Sequence, residues 1–522
     1  MEVPLEVLDF EELSVAASLF APSARSKSNP EISLGISEIL PKDDGSRTTT
    51  LPVQPRCSNE GAPANLNSLP SDRPHHHPKS IDRPLFVCES SSSSDIPIEA
   101  EASTRLDVAN STLTKLVSAL GPAGPGLIAV RGMPQVDELR RKLLPLAKTL
   151  ALIPHSQLRT ILKDNALGTD VQLKKAERPI SSFAAQVEFG NLHDSCKIST
   201  DVDGECLERG DKEPSTLGDL FRALGMRFAE LGLLVARLCD VAFPDARLEQ
   251  SILESGTAKG RLIHYHSPVE RLSEAKRRRR SNAPMQKHSH DYSFCNKSIQ
   301  PQAIKQNNSA QSDTFSPHGI WQQWHYDYGI LTVVTAPMFQ VASVPSAGKM
   351  EDQVSGSVSQ LSSSAECPPP DGHSCLQIMN PSTGLAQHAV VPHDLLIVQV
   401  GEAAQILSGG RLCATAHCVS ELVSTRSFSR ETFVLFLQPA WQKALVPPEG
   451  YNRSMVLGTG SWGDEESKLD KDSSPEFRSR ILEFNRSVPP LASRWHESST
   501  FAEFSKQTTR QYYGANGYQS SN

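Results

Sequence analysis

Residues 324–332 read WHYDYGILT. They sit inside GIWQQWHYDYGILTVVTAPMFQVA, residues 319–342, which alternates in polarity and is rich in β-branched and aromatic side chains. That pattern predicts strands. On a strand His325 and Asp327 lie two apart, and the period of two turns both side chains to one face. An imidazole and a carboxylate can then approach one metal ion from the same side.

A facial set needs a third ligand from another strand. His417 is the candidate, in GGRLCATAHCVS after the strand LLIVQVG and the turn SGG. A hairpin there is expected to bring the chain back toward the metal strand. Two histidines and one carboxylate hold iron(II) on one face and leave positions open for further ligands. Downstream, in SRETFVLFLQP, Arg430 and Thr432 are again two apart and face one way. A guanidinium grips a carboxylate through a fork of donors, and a neighbouring hydroxyl adds one bond. A dicarboxylic 2-oxo acid, 2-oxoglutarate, requires such an anchor.

Working outward, VANSTLTKLVSAL and QVDELRRKLLPLAKTLALI carry helical spacing, as does a longer stretch from Thr216 to Phe243. PGLIAVRGM and RLIHYH read as strands, and HAVVPHDLLIVQV and ETFVLFLQP complete a strand-rich block. Helices first, strands after and a helical tail are not the βαβ alternation of a nucleotide-binding sheet. The expected fold is α+β, with a double-stranded β-helix (jelly-roll) core flanked by helices. Residues 1–102 are expected to be a mostly disordered N-terminal region, with PHHHP at 74–78 and SSSSS at 90–94. Residues 103–260 form the N-terminal helical part, 261–445 the jelly-roll core, and 446–522 a C-terminal extension with helices. Polar stretches at 269–317 and 343–372 are expected to be disordered insertions, because structureless segments of that length are rare inside a compact domain.

These segments together resemble the plant and fungal soluble iron(II)/2-oxoglutarate dioxygenases related to isopenicillin N synthase. The family shows an H-x-D strand followed by G-x-L-T, a segment like VxxGexxqilSnGrl leading to a histidine, and then R-x-S. Here these are HYDYGILT, VQVGEAAQILSGGRLCATAHCV and RET. The resemblance implies iron on His325, Asp327 and His417, and 2-oxoglutarate on Arg430 and Thr432. RLIHYHSP resembles the family's strand with an N-x-Y element, which implies that Tyr265 also touches the cosubstrate. Ile263 stands where the family often has Asn, Thr432 replaces Ser, and Cys418 follows His417 where Arg is usual. The implied activity couples 2-oxoglutarate decarboxylation to hydroxylation or desaturation of a small organic substrate by O2. A non-catalytic binding module on the same fold and a nucleic-acid demethylase of the same chemistry are the alternatives. Against the second, Phe436 stands where the alkylation-repair group has its further Arg.

Composition bounds the rest. The chain has 522 residues, a net charge of −7, 38% hydrophobic residues and 37 Pro. The charge argues against a nucleic-acid binder working by bulk electrostatics. No apolar run is long enough for a membrane span. Ten cysteines include no C-x-x-C pair, so reduced thiols are expected rather than a zinc site or a disulfide framework. The expected compartment is the cytoplasm, with the nucleus as the alternative raised by KRRRR at 276–280. GTGSWG at 458–463 fits a dinucleotide fingerprint, but DEESKLDKDSS follows it instead of an apolar helix, so it reads as a loop.

Overall fold

The computed structural model describes residues 2–20, 98–169, 179–190, 214–281, 319–342, 366–370, 374–380, 384–392, 394–421, 427–457, 484 and 488–513. Residues 1–28 and 105–522 make one compact unit; of the second, residues 29–104, only the start of one helix is described. The PHHHP tract and the GTGSWG stretch lie outside the described residues.

In chain order the first unit begins with β1 (Glu2–Pro4), β2 (Val7–Asp9) and α1 (Phe10–Leu19). α2 (Ile98–Leu120) leads into β3 (Leu127–Arg131), α3 (Val136–Leu152) and α4 (His155–Asp164). Then come β4 (Gly168–Thr169), β5 (Ile180–Glu188), α5 (Leu217–Ala242), α6 (Leu248–Ser255), β6 (Thr257–Tyr265) and α7 (Pro268–Ser281). The strands β7 (Ile320–His325), β8 (Leu331–Thr335), β9 (Met338–Val341), β10 (Leu376–Met379), β11 (Ala386–Val390) and β12 (Leu396–Val400) follow. The chain closes with α8 (Glu402–Leu407), β13 (His417–Ser420), β14 (Phe428–Leu437), α9 (Arg453–Leu457) and α10 (Phe501–Tyr513).

The strands build two mostly antiparallel sheets. The smaller runs β1-β11-β10-β13-β7 and the larger β2-β3-β12-β8-β14-β6-β5-β4, with β9 also paired to β14. The two sheets share apolar cores. One joins Leu127, Ala129 and Ile397 of the larger sheet to Leu376, Ile378 and Ala389 of the smaller. Another joins Ile263, Tyr265 and Val434 to Trp321 and Val419.

α5 covers the outer face of the larger sheet. Thr216 caps it, its hydroxyl accepting from the Asp219 N–H at 3.1 Å. Leu220, Leu224, Phe228 and Leu231 recur at helical spacing and are buried. Phe221 and Phe228 meet Phe433 of β14 edge to face, with centroids 4.9 and 5.4 Å apart. Burying each such ring contributes roughly 1.5–3 kcal/mol. A Cβ on Gly232 would lie 1.9 Å from Leu437 Cδ1, so the small residue lets the helix approach the sheet.

Several features of the fold were not part of the sequence reading. Residues 2–9 are ordered: β1 joins β11 and β2 joins β3, both in parallel. The stretch read as an insertion from 269 begins as helix α7. The end of the stretch read as an insertion to 372 is pinned, because Arg140 of α3 forks onto Glu366 and Cys367 bridges to Phe339. Finally, the turn SGG does not close a hairpin. β12 lies in the larger sheet and β13 in the smaller, so the chain crosses between sheets through α8. Gly409 and Gly410 (φ 69° and 83°) make the sharp exit that only glycine takes without strain.

Candidate metal and cosubstrate site

His325 ends β7 and pairs directly across the ladder with His417, the first residue of β13. Their rings lie 4.3 Å apart. Asp327 is not on the strand, as its spacing led us to expect, but in the turn that follows. Backbone bonds place it there: the Glu402 N–H donates to the Asp327 carbonyl at 2.8 Å, and the Tyr326 N–H donates to the Tyr512 hydroxyl at 3.1 Å. The ligand-capable atoms of His325, Asp327 and His417 all fall within 4.8 Å of one another.

The tautomers follow from the hydrogen bonds. His325 Nδ1 sits 2.8 Å from the Gln323 carbonyl and His417 Nδ1 sits 3.0 Å from the Thr415 carbonyl. A carbonyl only accepts, so each Nδ1 carries the proton and each Nε2 keeps its lone pair. Those two Nε2 atoms lie 3.8 Å from Oδ1 and Oδ2 of Asp327. Ligands at right angles on one ion with bonds of about 2.1 Å stand about 3 Å apart, so the three side chains need close only slightly. Burial first, and then the neighbouring His417, pull the pKa of His325 down to about 4, which keeps the imidazole neutral and able to ligate.

Beside this trio lies the second set. Arg430 and Thr432 of β14 pair with Tyr265 and Ile263 of β6, so all four share one face of the larger sheet. The Arg430 guanidinium stacks 4.7 Å over the Tyr265 ring, and its Nε donates to the Ser374 carbonyl at 3.0 Å. Arg430 Nη1 and Thr432 Oγ1 are buried with no hydrogen-bond partner among the described residues. Ile263, opposite Thr432, has nothing polar to offer. Two orphaned donors on one strand face, one of them cationic, fit an anionic guest. Tyr265 connects the two sets: its hydroxyl donates to Gln322 Oε1 at 3.0 Å, and Gln322 Nε2 lies 3.0 Å from His325 Nε2.

Cys418 faces away from the trio, as expected from strand alternation. It packs with Trp324, Met379 and Phe484. Trp324 and Phe339 both serve in apolar cores.

A cluster on the opposite face escaped the sequence reading. His264, His266 and Glu270 also bring ligand-capable atoms within 4.8 Å. Here, however, the partners are already supplied. His264 Nδ1 bonds Glu431 Oε1 at 2.8 Å and its Nε2 lies 3.4 Å from Glu270 Oε2. His266 bonds the Ser181 hydroxyl at 2.8 Å. Glu270 caps α7 by accepting from the Ser267 N–H at 3.0 Å, and Lys148 lies 3.7 Å from its other oxygen. Burial opposes a charge on His264, yet Glu270 and Glu431 hold its pKa up at about 9. Burial raises the pKa of Glu431 in spite of the His264 contact, so this group reads as a buried, hydrogen-bonded lock between α3, α7 and the sheet. Its signal in the sequence was His264 and Glu431, which sit beside Tyr265 on β6 and between Arg430 and Thr432 on β14.

No family model matches the chain, and no curated protein does. Solved structures do resemble it. A full-length Neurospora crassa protein, crystallised in complex with alpha-KG, matches at TM-score 0.38 and 13% identity, over 72% of this chain and 91% of that one. The auxin-oxidation dioxygenase 1 of Arabidopsis thaliana, in a 2-oxoglutarate complex, matches at TM-score 0.35 and 14% identity, over 66% and 93%. JOX2 in complex with 2OG, Fe and JA matches at TM-score 0.34 and 13% identity, over 64% and 72%. These likenesses are loose, with TM-scores no higher than 0.38 and identities no higher than 14%.

Proposed function

We propose that the chain is an iron(II)/2-oxoglutarate-dependent oxygenase of the isopenicillin N synthase-like type, built on a jelly-roll core. The observation that carries this reading is the pair of histidines with Nδ1 tied to backbone carbonyls and Nε2 turned toward one carboxylate. That is how ligating histidines are held for a metal. His325, Asp327 and His417 would hold iron(II). Arg430 and Thr432 would bind the far carboxylate of 2-oxoglutarate, with Tyr265 shaping the anchor by stacking on the guanidinium. Bound together, the metal and cosubstrate supply oxidation of a substrate C–H bond by O2, coupled to decarboxylation of 2-oxoglutarate to succinate.

The chain's own residues orient and shield. The apolar cluster of Ile263, Trp321, Phe339 and Val419 around the anchor keeps water from it, which strengthens the guanidinium–carboxylate attraction. The outcome is hydroxylation or desaturation of a small organic substrate. Among the described residues no helix is long and apolar enough to cross a membrane.

Metal analysis with an anaerobic 2-oxoglutarate titration tests the proposal. The unmodified chain should bind one iron and develop the weak visible band of the chelate. Asp327→Ala should lose the metal while circular dichroism stays unchanged. Arg430→Ala should keep the metal and weaken 2-oxoglutarate binding roughly 10- to 100-fold, the loss of a charge-assisted bond. Iron retained by Asp327→Ala would remove the ligand assignment.

A further inference from the structure

The contact between Gln322 and His325 depends on an irregularity in β7. His417 pairs with His325, but Val419 pairs with Gln322, so two residues of β13 span three of β7. Without the bulge, residues three apart would face opposite sides of the sheet. With it, Gln322 joins His325 on the metal side, and its amide Nε2 comes 3.0 Å from His325 Nε2.

That contact uses the lone pair that a metal would take. His325 Nδ1 holds the ring proton against the Gln323 carbonyl, so Nε2 is an acceptor and the Gln322 amide is its donor. One lone pair cannot serve both an amide proton and a metal ion. Metal binding therefore releases a hydrogen-bond donor beside the ion. Tyr265 keeps that donor nearby, because its hydroxyl holds the Gln322 carbonyl oxygen at 3.0 Å. Tyr265 also carries the Arg430 guanidinium over its ring at 4.7 Å. Arg430, Tyr265, Gln322 and His325 thus form a continuous line from the carboxylate anchor to the metal, and an extended dicarboxylate would lie along it.

Resting on the oxygenase reading, we propose that Gln322 binds 2-oxoglutarate at its metal-proximal carboxylate, through the amide N–H that metal binding frees from His325. The geometry predicts an order of events. Iron(II) held by His325 would free the amide, and the cosubstrate would then find donors at both ends, Arg430 at one and Gln322 at the other.

The test uses the full chain loaded with iron(II) under anaerobic conditions. The visible chelate band measures 2-oxoglutarate affinity, and competition with a chromophoric chelator measures iron affinity. Gln322→Leu should raise the 2-oxoglutarate Kd roughly tenfold or more, the effect of losing a hydrogen bond to a charged group. Its iron affinity should equal or exceed that of the unmodified chain, because a competitor for His325 Nε2 is gone. Gln322→Glu should bind 2-oxoglutarate more weakly still, since it sets a carboxylate against a carboxylate. A residue that only filled space would not order the two variants this way. Unchanged 2-oxoglutarate affinity in Gln322→Leu overturns the inference alone. So does iron affinity falling in parallel with it. An unmodified chain that takes up no iron overturns the oxygenase reading, and the inference with it.

Discussion

At the scale of single residues, strand alternation explains both what the sequence disclosed and what it concealed. Arg430 and Thr432 were legible as a pair because β14 is a regular strand and the period of two holds along it. Glu431 sits between them and faces the other way, into the lock with His264. It went unread because β14 is buried on both faces, and a doubly buried strand gives no polar alternation to follow. The lock has a measurable consequence. His264→Leu leaves Glu431 buried without its partner and Glu270 with Lys148 alone, which should cost about 3–5 kcal/mol. The pH dependence follows from the direction of the shift. The folded-state pKa of about 9 lies above the ordinary value of about 6.5, so the stabilisation is complete below about pH 6.5 and lost as pH rises through about 9. Chemical denaturation should therefore show a gap between the unmodified chain and His264→Leu that narrows toward alkaline pH. A gap that stays constant from about pH 6 to about 10 would count against a charged His264.

At the scale of elements, the turn that carries Asp327 is fixed by its neighbours rather than by its own sequence. The spacing of His325 and Asp327 was readable, but the reason they meet was not. β7 stops at His325, and the turn is held by the start of α8, where the N–H groups of Glu402 and Ala403 donate to the carbonyls of Asp327 and Gly329 at 2.8 and 3.0 Å. Such pairings join segments far apart in the chain, which no local pattern encodes. Gly401 is where the fit is tightest. A Cβ there would lie 2.2 Å from the Gly329 carbonyl oxygen and 3.1 Å from that of Asp327, both backbone atoms that cannot swing aside. Gly401→Ala should therefore push the turn outward. We expect about 1–3 kcal/mol of destabilisation from overpacking, together with weakened iron binding. Calorimetry and metal titration on the same sample check the two effects; unchanged iron affinity would mean that the turn tolerates the displacement.

At the scale of the whole molecule, the tail was the least legible part. It read as an extension, yet it closes the core. The Arg494 guanidinium lies inside the protein, forked onto both oxygens of Glu402, with the Nη1 arm at 2.6 Å and a further bond to the Thr508 hydroxyl at 3.1 Å. Glu402 begins the same short helix that holds the Asp327 turn. Arg494→Met should leave that carboxylate buried and unpaired, lowering stability by about 3–5 kcal/mol, as thermal melts of the two proteins would show. A melting curve unmoved by the change would show the carboxylate finding another partner. The large-scale features that were legible, helices before strands and a strand-rich second half, come from periodicity and composition. The partition of strands between two sheets, and the use of residues 2–9 to extend both of them, depend on long-range pairing that periodicity does not carry.

The bond from the Tyr326 backbone to the Tyr512 hydroxyl joins residues 186 positions apart, and it bears on how the protein is made. A growing polypeptide exposes His325, Asp327 and His417 once His417 leaves the ribosome, while Tyr512, which braces the turn after His325, has yet to be translated. At about 5–20 residues per second the wait from His417 to Tyr512 is roughly 5–20 s. On the iron reading proposed above, the nascent chain would be a looser chelator during that interval, and the turn that carries Asp327 would gain its brace only when Tyr512 is made.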